Sequence, residues 1–139
     1  MKRYIRAAID TSYDDYNDFE VYYKIASDPK TSARELVKFA NIPDHAIRYN
    51  VAANPNCPPE VLEKFASIDD FILRSNVAAN PNTPVSVLER FARCKDRNLR
   101  WAVAKNPSTP KYILEKLSKS TDSIVRSAAK EALAGRTGT

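Results

Sequence analysis

The stretch Val77-Ala78-Ala79-Asn80-Pro81-Asn82-Thr83-Pro84-Val85-Ser86-Val87-Leu88-Glu89 reads as the end of one helix, a stiff turn and the start of another. Proline disfavours the α conformation in the residue before it, so Asn80-Pro81 stops the first helix. Thr83-Pro84 opens the second, with threonine as the cap and proline at the first helical position, where its missing N–H costs nothing. Upstream, Asp70 suits the N-cap of a helix over 71–79, and Leu73 and Val77, four residues apart, share one face of it. Downstream, Val87, Leu88, Phe91 and Ala92 make an apolar stripe. Both helices are too short to hold alone in water, so each must pack on neighbours.

The neighbours are copies of the same unit. Pro29, Pro55, Pro81 and Pro107 are 26 residues apart, preceded by Asp28, Asn54, Asn80 and Asn106. Leu36, Leu62, Leu88 and Leu114 keep that step, as do Phe39, Phe65, Phe91 and Leu117, and Ala26, Ala52, Ala78 and Ala104. Asp18, Asp44, Asp70, Asp96 and Asp122 form a further column, and Arg48, Arg74, Arg100 and Arg126 another. A period held without a slip is the signature of an α-helical solenoid. The expected organisation is a capping segment over residues 1–17, a repeat region over 18–134 and a flexible tail over 135–139, with no β-sheet.

Composition removes many alternatives. The chain has 139 residues, 28% charged and 43% hydrophobic, a balance that supports one folded domain. Its two glycines, Gly135 and Gly138, both lie in the tail, so no loop can bring backbone onto a phosphate as the glycine-rich nucleotide motifs do. One histidine and two cysteines leave no metal-ligand set, and no cofactor is expected. No apolar run approaches the ~20 residues of a membrane span. The start Met1-Lys2-Arg3-Tyr4 lacks an apolar signal segment, which with the thiol usage leads us to expect a cytoplasmic protein.

The phrase Val-Ala-x-Asn-Pro-x-Thr-Pro-x-x-Val-Leu-Glu resembles the variant leucine-rich repeat family, whose members are similar to HEAT-type helical solenoids. The resemblance covers about residues 18–134. It implies a right-handed superhelix of about four and a half 26-residue helix pairs, and a binding style rather than a reaction. Some members carry an N-terminal cysteine-rich iron–sulfur segment. This chain has no cysteine before Cys57, so that cofactor does not carry over.

Candidate sites follow from how the columns behave. Each arginine of the Arg48/Arg74/Arg100/Arg126 column stands four residues after an aspartate, a spacing that favours pairing within or between units over phosphate tracking. Lys38, Lys64, Arg90 and Lys116, beside Glu63, Glu89 and Glu115, lie away from the apolar stripe and read as solvated. Charge is lopsided: residues 1–69 hold 9 Lys+Arg and 11 Asp+Glu (net −2), whereas 70–139 hold 13 and 6 (net +7). Arg90, Arg93, Arg97, Lys105, Lys116 and Lys119 belong to that basic half. One face of the first helix repeats in geometry but not in residue: Phe19, His45, Phe71, Arg97 and Ser123, then four residues on Tyr23, Tyr49, Ser75, Trp101 and Ser127. Packing does not dictate such a column. Tyr, Trp and Arg dominate binding hot spots, which makes Tyr49, Trp101 and Arg97 candidates, against the plainer reading that Phe19 and Tyr23 lie under the N-terminal segment and Phe71 tucks under a turn.

The expectation is a non-enzymatic scaffold that docks a protein with an acidic surface through Tyr49, Trp101, Arg97 and Lys105, without a membrane or a small-molecule cofactor. Arg90, Arg93, Lys116 and Lys119 keep open a nucleic-acid binder, or a small inhibitor occupying a nucleic-acid-handling protein. HEAT-like solenoids also include DNA base glycosylases, to which Trp101 with its basic surroundings is faintly similar. Lone His45, and Cys57 and Cys94 in columns of threonine and isoleucine, give little support to nucleophilic catalysis.

Overall fold

A computed structural model describes residues 18–137. Among the described residues there are nine helices and no strand: α1 (Asp18–Ser27), α2 (Ala33–Ala40), α3 (His45–Ala53), α4 (Pro59–Ala66), α5 (Phe71–Ala79), α6 (Val85–Arg93), α7 (Arg97–Lys105), α8 (Lys111–Leu117) and α9 (Ser123–Thr137). The segment expected to cap the N-terminus, residues 1–17, lies outside them, as does the side chain of Asp18. No described helix is long and apolar enough to cross a membrane.

The odd-numbered helices pack in sequence, α1 on α3, α3 on α5, α5 on α7 and α7 on α9. Each even-numbered helix packs on the odd one that follows it. The repeating columns explain this. Ala26, Ala52, Ala78 and Ala104 are fully buried, and a methyl at each crossing lets neighbouring odd helices come close. Leu36, Leu62, Leu88 and Leu114 are also fully buried, and Phe39, Phe65, Phe91 and Leu117 nearly so. Each such side chain gains about 1.5–3 kcal/mol on leaving water. One core cluster runs from Tyr22 to Ala129, so no unit is an island.

The turns between α1 and α2, α3 and α4, α5 and α6, and α7 and α8 carry the polar part of the repeat. Asn54, Asn80 and Asn106 each end a helix with extended backbone, as the following prolines require. Their side chains do more. The Asn80 amide donates to the carbonyls of Ala52 and Asn54, both at 2.8 Å, while its oxygen accepts the Asn82 N–H at 2.9 Å. Asn54 donates likewise to Ala26 and Asp28, and Asn106 to Ala78 and Asn80. A second rung runs outside the first: Asn56 donates to Pro29 and Thr31, Asn82 to Pro55 and Cys57, and Ser108 to Pro81. Asp28 keeps only the accepting half of the pattern, taking the Lys30 N–H.

Three expectations need correction. Thr83 does not cap the helix after it. Its hydroxyl donates back to the Val77 carbonyl, as Thr109 does to Val103 and Thr31 to Ile25, closing the end of the preceding helix. The N-caps are Pro58, Pro84 and Pro110 themselves, with no side-chain bond, whereas Ser32 forms a full capping box with Glu35. Lastly, the tail expected from residue 135 is helical to Thr137. There Arg136 donates to the Pro107 and Thr109 carbonyls, as Asn56 and Asn82 do to theirs in earlier units.

Two variants test these bonds. Asn80→Ala strands two buried carbonyls and should cost about 2–4 kcal/mol in chemical denaturation. Asn80→Asp, which loses the donors and adds a charge, should cost at least as much; a loss under about 1 kcal/mol for both would refute the ladder's role. Cys57 occupies the threonine position, and its thiol only grazes the Pro58 carbonyl at 3.8 Å. Cys57→Thr restores a hydroxyl that can reach Val51 and should stabilise by about 0.5–1.5 kcal/mol, read as a rise in Tm.

Candidate partner-binding face

The open side of the odd-helix row is where packing leaves large apolar groups in solvent. Among the described residues nine large hydrophobics are exposed, and six of them, Phe19, Tyr23, Phe71, Ile72, Trp101 and Ile124, belong to odd-numbered helices. Phe71, at 54% exposure, does not tuck under a turn. The odd helices present this face because Leu73 with Val77, and Leu99 with Val103, commit the opposite side to the core.

The aspartates at the starts of α3, α5, α7 and α9 organise the polar part of this face. Asp70 accepts the Leu73 N–H on Oδ1 at 3.0 Å. Its Oδ2 turns back to the preceding odd helix, where the Tyr49 hydroxyl donates to it at 2.8 Å and His45 Nδ1 lies 3.3 Å away. Asp122 repeats the division: Oδ1 accepts the Ile124 and Val125 N–H groups, and Oδ2 lies 3.7 Å from the guanidinium of Arg97. The residue that reaches forward stands 25 positions earlier, His45 or Arg97. The same place holds Phe19 or Phe71 in the alternate units, which have no donor to offer Asp44 or Asp96. The variable column therefore alternates between clamping the next helix and exposing a phenyl ring.

This geometry removes the expected aspartate–arginine pairing. None of Asp44–Arg48, Asp70–Arg74, Asp96–Arg100 or Asp122–Arg126 is an ion pair, because each aspartate spends Oδ1 on its own helix start. Among the described residues Arg48, Arg74 and Arg100 each bury an Nε without a hydrogen-bond partner, Arg74 meets the fully exposed Asp69 at 3.5 Å, and Arg126 donates to the Ser120 and Thr121 carbonyls. A pair as exposed as Arg74–Asp69 adds little stability.

The eight candidate residues separate into groups. Arg97, Trp101 and Lys105 share α7 and one surface. A depression of about 360 Å³ joins Trp101 and Lys105 to Ile124 and Glu131, and a second of about 350 Å³ joins Trp101 to Arg97, Asn98 and Ile124. Among the described residues Lys105 has no carboxylate partner, and Trp101 is 42% exposed. Tyr49 is not an open anchor: it is half-buried against the core with its hydroxyl held by Asp70. Arg93 and Lys116 line a separate cleft at α6 and α8, and Arg90 and Lys119 are exposed without lining either. Sequence reasoning missed Ile72 and Ile124, which stand one position beyond the variable column.

Ionisation follows the same contacts. The Asp70 carboxyl is held below the ordinary range, first by the Leu73 N–H and, against the cost of desolvation, by Tyr49 and His45. The bond to Asp70 raises the Tyr49 phenol. Burial pushes the Cys57 thiol up to about 12 and raises that of Cys94, so both are protonated at neutral pH. Among the described residues no cluster of His, Cys, Asp and Glu could hold a metal ion. No family model, no curated protein and no solved structure matches the chain.

Because the Asp70 carboxyl is depressed in the folded state, its contribution to stability is present above the ordinary carboxylate pKa and is lost as pH falls through the folded value. Asp70→Asn keeps an acceptor at the helix start and removes the charge. The variant should show a shallower loss of Tm below about pH 4 than the parent, and the Tyr49 phenol should titrate closer to its ordinary value of about 10 in absorbance. Superimposable pH profiles would count against the clamp.

Proposed function

We propose that the chain is a right-handed α-solenoid of about four and a half 26-residue units, of the variant leucine-rich or HEAT-like kind, that docks a protein and catalyses nothing. The observation that carries this reading is Trp101: an exposed indole between Arg97 and Lys105, opening onto two depressions that share Ile124. Aromatic and arginine side chains in a partly apolar hollow are the usual anchors of a protein interface. The exposed Phe71 and Ile72 on the preceding odd helix, α5, which packs on α7, extend the same row of exposed apolar groups. Arg97, Lys105 and the net +7 of residues 70–139 suit an acidic partner, steering its approach more than holding it.

The non-enzymatic part of the reading rests on uncommitted chemistry being scarce. His45 faces Asp70, both thiols are raised, and the linings beside Trp101 contain one carboxylate, Glu131, and no aspartate. A glycosylase-like reaction would need an aspartate there. A second reading is favoured by the exposed Arg90, Arg93, Lys116 and Lys119, none of which has a carboxylate partner among the described residues: a phosphate backbone lying across the even helices, or occlusion of a nucleic-acid channel in another protein. The cytoplasmic placement expected from the thiols belongs to the same proposal.

Trp101 is the only tryptophan, so its fluorescence reports on the proposed site. Titration with mixed-sequence single- and double-stranded DNA and RNA should leave the emission unchanged at physiological salt. A partner isolated on the wild-type protein should quench or shift it, and Trp101→Ala should weaken that partner by about 2 kcal/mol or more while Lys116→Gln leaves it intact. Nucleic-acid binding that falls steeply with salt and is lost in Arg93→Gln or Lys116→Gln would replace the protein-docking reading with the second one.

A further inference from the structure

The cleft formed by α6, α7 and α8 has features that the repeat alone does not produce. Its volume is about 240 Å³, below the size of most drug-like pockets and enough for a small polar group with a short apolar body. Three cations converge on it, Arg93, Arg100 and Lys116, and among the described residues none has a carboxylate within ion-pair distance. The one carboxylate in the lining, Glu89, accepts the Tyr112 hydroxyl. The Asp122 carboxyl is lowered first by the Val125 N–H, against desolvation, then by the Ile124 N–H and Arg97, and least by Arg100; Arg97 is the cation that lies 3.7 Å from its Oδ2. Three cations against one carboxylate leave the concavity with an excess of positive charge, and an anion that enters relieves the repulsion among the cations.

The cleft is open because a plug is missing. At one register position the units carry Ile42, Ile68, Cys94 and then Ser120. Ile42 is fully buried, and Ile68 and Cys94 pack against the core. Ser120 is smaller than either isoleucine and polar, and it lines the cleft. Its Oγ accepts the Asp122 N–H at 3.1 Å, which leaves its own proton to donate. Arg93 departs from its column in the same way, standing where Asn41 and Ser67 stand, and Tyr112 where Glu60 and Ser86 stand. Three changes in one place turn a packed junction into a cationic hollow floored by Ile113 and Leu117.

The geometry points to a binding site for a small organic phosphate monoester, with the phosphoryl group held by Arg93, Arg100, Lys116 and Ser120 and an aryl or alkyl body on Ile113 and Leu117. A phosphate monoester, carrying about −1.5 to −2 at neutral pH, matches three cations facing one carboxylate better than a monoanionic carboxylate does. The site shares no lining residue with the depressions beside Trp101, so it stands or falls apart from the docking face.

Calorimetric titration of the full chain with phenyl phosphate, inorganic phosphate and phenol at constant ionic strength tests the site. Phenyl phosphate should bind, more tightly than either fragment, and Lys116→Gln or Arg93→Gln should weaken it by about tenfold or more. Ser120→Ile, which restores the plug, should abolish binding while keeping or raising Tm, so a lost signal cannot be laid to unfolding. The assignment is overturned if phenyl phosphate fails to bind at about 10 mM, roughly tenfold above a millimolar Kd. It is equally overturned if phenyl phosphate binds no better than inorganic phosphate, or if folded Ser120→Ile binds it as well as the parent.

Discussion

Asparagine side chains that reach back to the preceding unit hold the architecture in register. A helix of nine residues ended by an Asn–Pro turn leaves carbonyls that water cannot reach once the next unit is stacked. The amide of Asn54, Asn80 or Asn106, itself about 2% exposed, satisfies two of them at once. Apolar burial supplies most of the stabilisation but would tolerate some sliding of one helix along the next. A buried amide with two donors and two fixed acceptors tolerates none, since a displaced rung leaves unpaired groups in the interior. The alanine column works with it: without a methyl at each odd-helix crossing, the carbonyls would stand out of reach.

How much of this can be read in the sequence depends on whether the cause is periodic. The helices, their stops at Asn–Pro and their aspartate starts are legible because each is repeated and each rests on a local rule. The partners of the side chains are not. Thr83 stands before a helix and reads as its cap, yet its hydroxyl serves the helix behind, because Pro84 already holds the start in extended geometry. Asp70 and Arg74 have the spacing of an ion pair, yet the carboxylate is divided between its own helix and Tyr49. Nothing local to Asn80 tells of carbonyls 26 and 28 residues earlier.

The candidate face shows the same limit. Trp101, Arg97 and Lys105 are legible together because i, i+4 and i+8 on one helix must share a side. Tyr49 has the same place in its own unit and still turns out half-buried, since the aspartate of the next unit draws it in. The alternation of His45 and Arg97 with Phe19 and Phe71 is plain in the letters, but its meaning needed the position of Asp70 and Asp122. The two surfaces also divide what looked like a single basic region: Arg97 and Lys105 face one way with the indole, and Arg93 and Lys116 belong to the even helices.

Every rung of the asparagine ladder spans one unit and no more. Tension along the chain would therefore load the junctions in series, each with its own pair of amide bonds and its own slab of buried alanine, leucine and phenylalanine. Such an object behaves less like a single knot that holds or fails than like a zip. Force would peel it from an end, a unit at a time, and release would let it close again from whatever length remained stacked.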